Sequence, residues 1–399
     1  TASAPAAAPG QGARPAASSR GVRASGCAVV VDFSGTAAFE RIAGQLTQGR
    51  AVPDAEYAQL VEQPAYQSLL LSSGGQLFNA GILRNVMQHV YGGEQAGAAS
   101  ATGRGSGRER AGARTPKRRD LLDSFGYARD HAEAITERLA GFPREGACEV
   151  RRLIEAWVAP SQLPDTLAIA FLYAGPDVRW YSQRLLVDAG LAAAADPAQL
   201  PRLLAAQLYR GLRAVPTPPT QSSPGRPTLL ATFATLQLEA ATAWIEGYPE
   251  VRFDAAHPLL GRPDQGRQQA AKKAEIALAR LNDMLKPLLT DRTLLASKST
   301  VIDDLLRGNA AYAPTGYMMA ALIAVRLGDR RLHEALTGSP AAFLRAYQNA
   351  ARSTAGGQVP ATLANGVAAP SADDLARLPA FADAQFDNLM ELLESPAPR

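Results

Sequence analysis

The chain has 399 residues, of which 47% are hydrophobic and 20% charged, and a formal net charge of +4. That composition can bury one large core or two ordinary ones and excludes a chain disordered throughout. The longest apolar run, around Tyr317–Val325, falls short of the roughly 18–20 residues that cross a bilayer, so no membrane span is expected. The positive charge is localised. Residues 1–26 carry three arginines and no acid, residues 104–119 carry a net +6, and the remainder stands at −5. A basic, Gly-rich run without interleaved aromatics reads as a solvated loop, so no nucleic-acid partner is expected.

Residues 1–26 are rich in Ala, Pro, Ser and Gly and begin at Thr1. They read as a disordered tail of the kind left after signal removal, which places the protein outside the cytoplasm, in the periplasm or beyond the cell. Cys27 and Cys148 permit one disulfide or two separate buried thiols, and exclude a cysteine metal cluster. A single helix-rich domain is expected over 27–395. It opens with a short buried strand in "CAVVVDFSG" (27–35), which is β-branched and closed by Ser-Gly. Apolar residues three or four apart then predict helices to about residue 92, where paired glycines end the last one. Residues 93–119 form a disordered basic insertion.

Helical spacing resumes after 119 and continues through "EVRRLIEAWVA". "TLAIAFLYAG" (166–175) predicts a strand, with "SQRLLVDAG" as an antiparallel partner. The helix "PRLLAAQLYRGLRA" (201–214) follows, its stripe of Leu200, Leu204, Leu208 and Leu212 turning Ala206, Gln207 and Arg210 to another face. A Pro-rich loop at 215–227 leads to a second helix at 228–247, and the remainder is helical. The fold class is mostly α (α+β), with a small antiparallel strand element just before the helix at 201.

Metal sites need several His, Cys, Asp or Glu side chains converging on one ion. The histidines His89, His131, His257 and His333 are widely separated, with no second histidine within a turn of any. No serine sits in a G-x-S-x-G elbow, and the glycine-rich stretches at 72–75 and 103–107 lack the Gly-Lys-Ser/Thr ending of a phosphate loop.

The order of two strands, a helix, a loop and a second helix with an inward carboxylate resembles a thermolysin-like zinc peptidase of the gluzincin type. In that type the first helix carries H-E-x-x-H, two imidazole ligands beside a glutamate base, and the second supplies a glutamate ligand. Here "LLAAQLYRGL" resembles "LLAHELYHGL", with Ala206 and Arg210 at the two histidine positions and Gln207 at the base. "LQLEAATAWIEG" is similar to the E-G-x-A segment, which puts Glu239 at the ligand position and Ala240 where glycine is usual. The segment from "PTGYMMAALIAV" to "FLRAYQNAA" is similar to the family's closing helices, and "VVVDFSGTAAFERIAGQL" to its opening. The family is one of uncharacterised bacterial proteins read as zinc-dependent peptidases, and the likeness touches most of residues 28–355.

The departures from that pattern set the functional expectation. Alanine supplies no ligand, arginine stays protonated and repels a divalent cation, and glutamine cannot take a proton from water. The degenerate H-E-x-x-H therefore implies no zinc, although the family would carry it, and no catalytic residues. Arg210, Glu239 and Tyr317 are left as candidates for a binding cleft, with an Arg210–Glu239 pair across the old metal position. The expected protein is an exported, catalytically silent peptidase homologue with a protein or peptide partner. Two other readings stay open: an active hydrolase with a non-standard site, such as His89 or His131 with Glu239, and a helical envelope scaffold.

Overall fold

In the computed structural model, which describes residues 21–24, 26–72, 79–92, 116–175, 177–213, 225–248, 266–308, 310–353 and 359–394, seventeen helices pack around one five-stranded sheet. The sheet runs β1 (Val22–Arg23), β2 (Val29–Asp32), β3 (Leu167–Leu172), β5 (Arg184–Asp188) and β4 (Val178–Tyr181) in that spatial order. β2, β3 and β5 are mutually parallel, while the edge strands β1 and β4 run antiparallel to their neighbours. The central strand β3, "LAIAFL", is buried at nearly every position, as a strand covered on both faces must be.

The fold is mostly α with a small strand element, but the sheet is mixed rather than antiparallel. "TLAIAFLYAG" and "SQRLLVDAG" pair in parallel, from Ala168 opposite Arg184 to Leu172 opposite Asp188. The cause is β4, a strand not anticipated from the sequence. The chain leaves β3, runs back along β4, and turns through Ser182 and Gln183 into β5, which then points the same way as β3. Both turn residues have positive φ, 47° and 63°, the conformation of a two-residue hairpin turn that normally selects Asn-Gly. With Ser-Gln in those places the usual hairpin signal is missing.

Between β2 and β3 lie the helices α1 (Ser34–Thr47), α2 (Asp54–Val61), α3 (Pro64–Ser72), α4 (Ala80–Tyr91), α5 (Pro116–Asp130), α6 (Ala132–Glu145) and α7 (Ala147–Glu155). Phe39 of α1 sits at the centre of their packing, its ring 4.9 Å from Phe125 and 4.5 Å from Tyr173. Cys27, just before β2, is disulfide-bonded to Cys148 in the first turn of α7, which closes one of the two alternatives left by the sequence. Two expected boundaries also move. Val22 and Arg23 of the supposed tail form β1 and pair with Val31 and Val30, and α5 begins at Pro116, inside the supposed insertion. Residues 1–20, 93–115 and 214–224 lie outside the described residues.

After β5 come α8 (Ala189–Ala194), α9 (Leu200–Leu212), α10 (Arg226–Glu246), α11 (Gly266–Leu285), α12 (Leu295–Gly308), α13 (Tyr312–Leu327), α14 (Asp329–Thr337), α15 (Pro340–Arg352), α16 (Ala372–Ala376) and α17 (Asp383–Glu394). α13 is apolar on all sides, with Tyr317 through Ile323 buried, as expected of a helix enclosed by others. It crosses α10 closely at Gly316, where an added Cβ would lie 2.8 Å from the Ala240 backbone. The C-terminal segment is fastened by Gln348, whose amide donates to the Phe381 carbonyl at 2.8 Å and accepts from its N–H at 2.9 Å.

Candidate functional site

α9 forms where its sequence places it, because Leu200, Leu204 and Leu208 fill the core while Leu212 packs against its edge. Trp180 of the edge strand β4 sits over Gly211, where a Cβ would come within 2.3 Å of the Trp180 side chain. Only glycine admits that contact, so Gly211 brings the sheet edge against the helix that carries Ala206, Gln207 and Arg210.

α9 and α10 pack side by side and run antiparallel. Arg210 meets Glu239 at one end of the seam, and Arg202 reaches the backbone of Gly247 at the other. The Arg210 guanidinium donates from Nη2 to Glu239 Oε2 at 2.6 Å and from Nη1 to Gln207 Oε1 at 3.0 Å. All three side chains at the face thus form one small network. Arg210 is 40% exposed and Glu239 19%, so the pair is partly screened and contributes on the order of 1 kcal/mol. The Arg210 Nε is buried without a hydrogen-bond partner among the described residues.

The sequence reading missed a fourth member of this site, Glu246. It lies seven residues after Glu239, two turns further along the same face of α10. Burial pushes its carboxyl up to about 7, Arg210 pulls it down, and Glu239 pushes it up. Arg210 is therefore a cation acting on two carboxylates, paired with one and electrostatically felt by the other. The signal lies in "EAATAWIEG", where two glutamates sit at helical spacing, although only Glu239 matches the E-G-x-A segment.

Other expected members are elsewhere. Ala206 is fully buried in the core. Tyr317 is also fully buried, with its ring centroid 5.6 Å from Tyr248 and 6.3 Å from Trp244. It packs in the core against Trp244 and Tyr248 instead of lining an open cleft, because α13 is enclosed by other helices. His131 stacks on Tyr127 at 4.1 Å, with Nδ1 3.0 Å from the Tyr127 carbonyl oxygen. His333 lies against Trp157 at 5.0 Å, and His257 is outside the described residues. Among the described residues no group of three or more His, Cys, Asp or Glu is arranged to hold a metal ion. At the three ligand positions implied by the resemblance, the side chains are a methyl group, a guanidinium and a carboxylate already bonded to that guanidinium. That donor set does not fit a gluzincin zinc ion, which takes neutral imidazoles and an uncommitted carboxylate.

Within the described residues no helix is long and apolar enough to cross a membrane. Neither the curated proteins nor the solved structures contain a match to the chain. One protein family does match, over residues 161–356. That stretch includes the strands β3 to β5, the site helices α9 and α10, and the closing helices α13 to α15. The segment "VVVDFSGTAAFERIAGQL" (29–46), similar to the family's opening, lies outside it. The matching family is described as "Putative zinc dependent peptidase (DUF5700)", and over residues 161–356 this chain is similar to that zinc-peptidase family.

Proposed function

We propose that this protein is a catalytically silent, exported homologue of zinc-dependent peptidases that has kept the peptidase architecture to bind a protein or peptide partner. The observation that carries this reading is the Arg210–Glu239 ion pair at 2.6 Å. A permanently charged guanidinium occupies the place of a metal-binding imidazole and engages the one carboxylate left from the expected ligand set. Gln207 stands where a general base would be needed and is held as a hydrogen-bond acceptor by the same arginine. Neither group can deprotonate a water molecule at neutral pH. Export is supported by the Cys27–Cys148 disulfide, since such bonds persist mainly in oxidising compartments.

The test is metal content and peptidase activity of the purified protein after equilibration with zinc, alongside Glu239→Ala. Substoichiometric zinc that is unchanged in the variant, with no peptide cleavage, is the expected outcome. Stoichiometric zinc that disappears in Glu239→Ala would overturn the reading. The reverse substitutions probe the same point. Arg210→His frees Glu239 and adds one imidazole, so zinc affinity should rise measurably in that variant. It should rise further in the combined Ala206→His, Gln207→Glu, Arg210→His chain if buried Ala206 tolerates the larger ring.

A further inference from the structure

A cavity of about 330 Å³ opens at the other end of the α9–α10 seam from Arg210. It lies eight residues along α9 from Arg210, about 12 Å at helical rise. Its walls come from α7, α9, α10, α14 and the loop at 364–365, and they include Arg152, Arg202, Trp157, Trp244, Asp329 and His333. We infer that this cavity binds a compact monocarboxylate with an aromatic or branched apolar body. The inference does not depend on the state of the Arg210–Glu239 pair.

The anchor is Arg202. Its guanidinium has no carboxylate within ion-pairing distance among the described residues, and its one hydrogen bond runs from Nη2 to the Asn365 carbonyl oxygen. Glu149 is near enough to favour the charged form, but burial outweighs it and lowers the pKa. A half-buried cation with free donors and no paired anion is a preformed receptor for one. The backbone around it is shaped to hold it. Gly247 has φ of 82°, and a Cβ there would lie 2.9 Å from Arg202 Nη1; Gly366 has φ of 75°, with the corresponding point 3.6 Å from Nη2. Asn365 completes the cradle by donating its side-chain N–H to the Trp244 carbonyl at 3.1 Å.

The rest of the cavity selects the ligand's body and charge. Trp157, Trp244 and His333 supply aromatic surface, with Trp157 and His333 rings 5.0 Å apart. A cavity of this size, with aromatic and aliphatic walls and an arginine free of any ion pair among the described residues, matches a small-molecule site. Arg152 is already bonded to Glu149 on its own helix, and Asp329 stands on the wall. Those two carboxylates offset the two arginines in number and oppose a multiply charged anion such as phosphate; of the two cations, Arg202 is the one without an ion-pair partner among the described residues.

The carboxylate could be that of a free acid or the C-terminus of a peptide, and titration separates the two. The probes are 3-phenylpropionate, 3-phenylpropionamide, and a short peptide ending in phenylalanine with either a free or an amidated C-terminus. Binding is followed by calorimetry and by the fluorescence of the tryptophans. The acid is expected to bind and its amide to bind at least tenfold more weakly. Arg202→Gln should lower affinity for the acid at least tenfold with the circular-dichroism spectrum unchanged, and Trp157→Ala, on the outer wall, should lower it severalfold without touching the cradle. A free-C-terminal peptide binding tenfold tighter than the free acid identifies a chain terminus as the ligand; equal affinity identifies the small acid. Equal affinity for acid and amide, no saturable signal at millimolar acid, or affinity unchanged in both variants would overturn the inference.

Discussion

Arg202 and Arg210 lie eight residues apart on α9 and meet α10 at opposite ends of one seam, yet their surroundings differ. Arg210 faces Glu239 at 2.6 Å and influences Glu246 as well, so its charge is spent inside the protein. Arg202 faces glycine backbone, a carbonyl oxygen and a cavity, so its charge remains directed outward. The same side chain on the same helix closes one site and leaves another open, because the partner helix offers a carboxylate to the first and only its capping glycine to the second. Residue type alone therefore says little about a half-buried arginine; the group opposite decides its role.

That contrast can be stressed at three points. The largest expected effect comes from Cys27→Ser with Cys148→Ser, since the bond spans 121 residues and cross-links of that length contribute about 2–5 kcal/mol. Chemical denaturation should show a loss in that range. Because α7 carries both Cys148 and the Trp157-side wall of the open cavity, ligand binding at Arg202 should weaken before the Arg210–Glu239 contact is lost. Breaking the closed end by Arg210→Ala leaves two carboxylates near each other without their cation. It should cost about 1–3 kcal/mol and raise the Glu246 pKa above its present value. A melt in which Arg210→Ala matches wild type at neutral pH would mean that the pair is a surface contact of no consequence.

The smallest effect is pH-dependent. Glu246 is held at about 7, above the ordinary glutamate value it has when unfolded. Between those two values the folded state binds the proton more tightly, so this group's contribution to stability declines as pH rises through that window. Glu246→Gln removes the decline. The variant should equal wild type near pH 4 and exceed it by on the order of 1–2 kcal/mol at pH 8, read as a diverging pair of melting curves. Parallel curves over that range would place Glu246 in contact with water.

Much of the helical framework was legible in the sequence. The leucine stripe of α9, the strands "VVVD" and "LAIAFL" and the fully apolar α13 each announce themselves through periodicity, because burial on one face, on both faces or all round imposes a distinct spacing. β4 was not legible, since its turn uses Ser182 and Gln183 in a conformation that other residues usually adopt. Without β4, the parallel pairing of β3 with β5 could not be anticipated. At the site, the substitutions at 206, 207 and 210 were plain to read, and the pairing of Arg210 with Glu239 followed from the resemblance. Glu246 and the Arg202 cavity did not follow, because burial and cavity walls are assembled from five elements distant in the chain.

The sequence by itself determined which side chains α9 presents and that two of them cannot ligate a metal, since those are properties of covalent chemistry. The tertiary structure decided which charges are satisfied and which are not. Glu239 lies in α10 and Gly247 caps its C-terminal end, eight residues on, and only the antiparallel packing of α10 against α9 assigns the first to Arg210 and the second to Arg202. A charge is neutralised by what lies within a few ångströms of it, and chain order does not fix that distance.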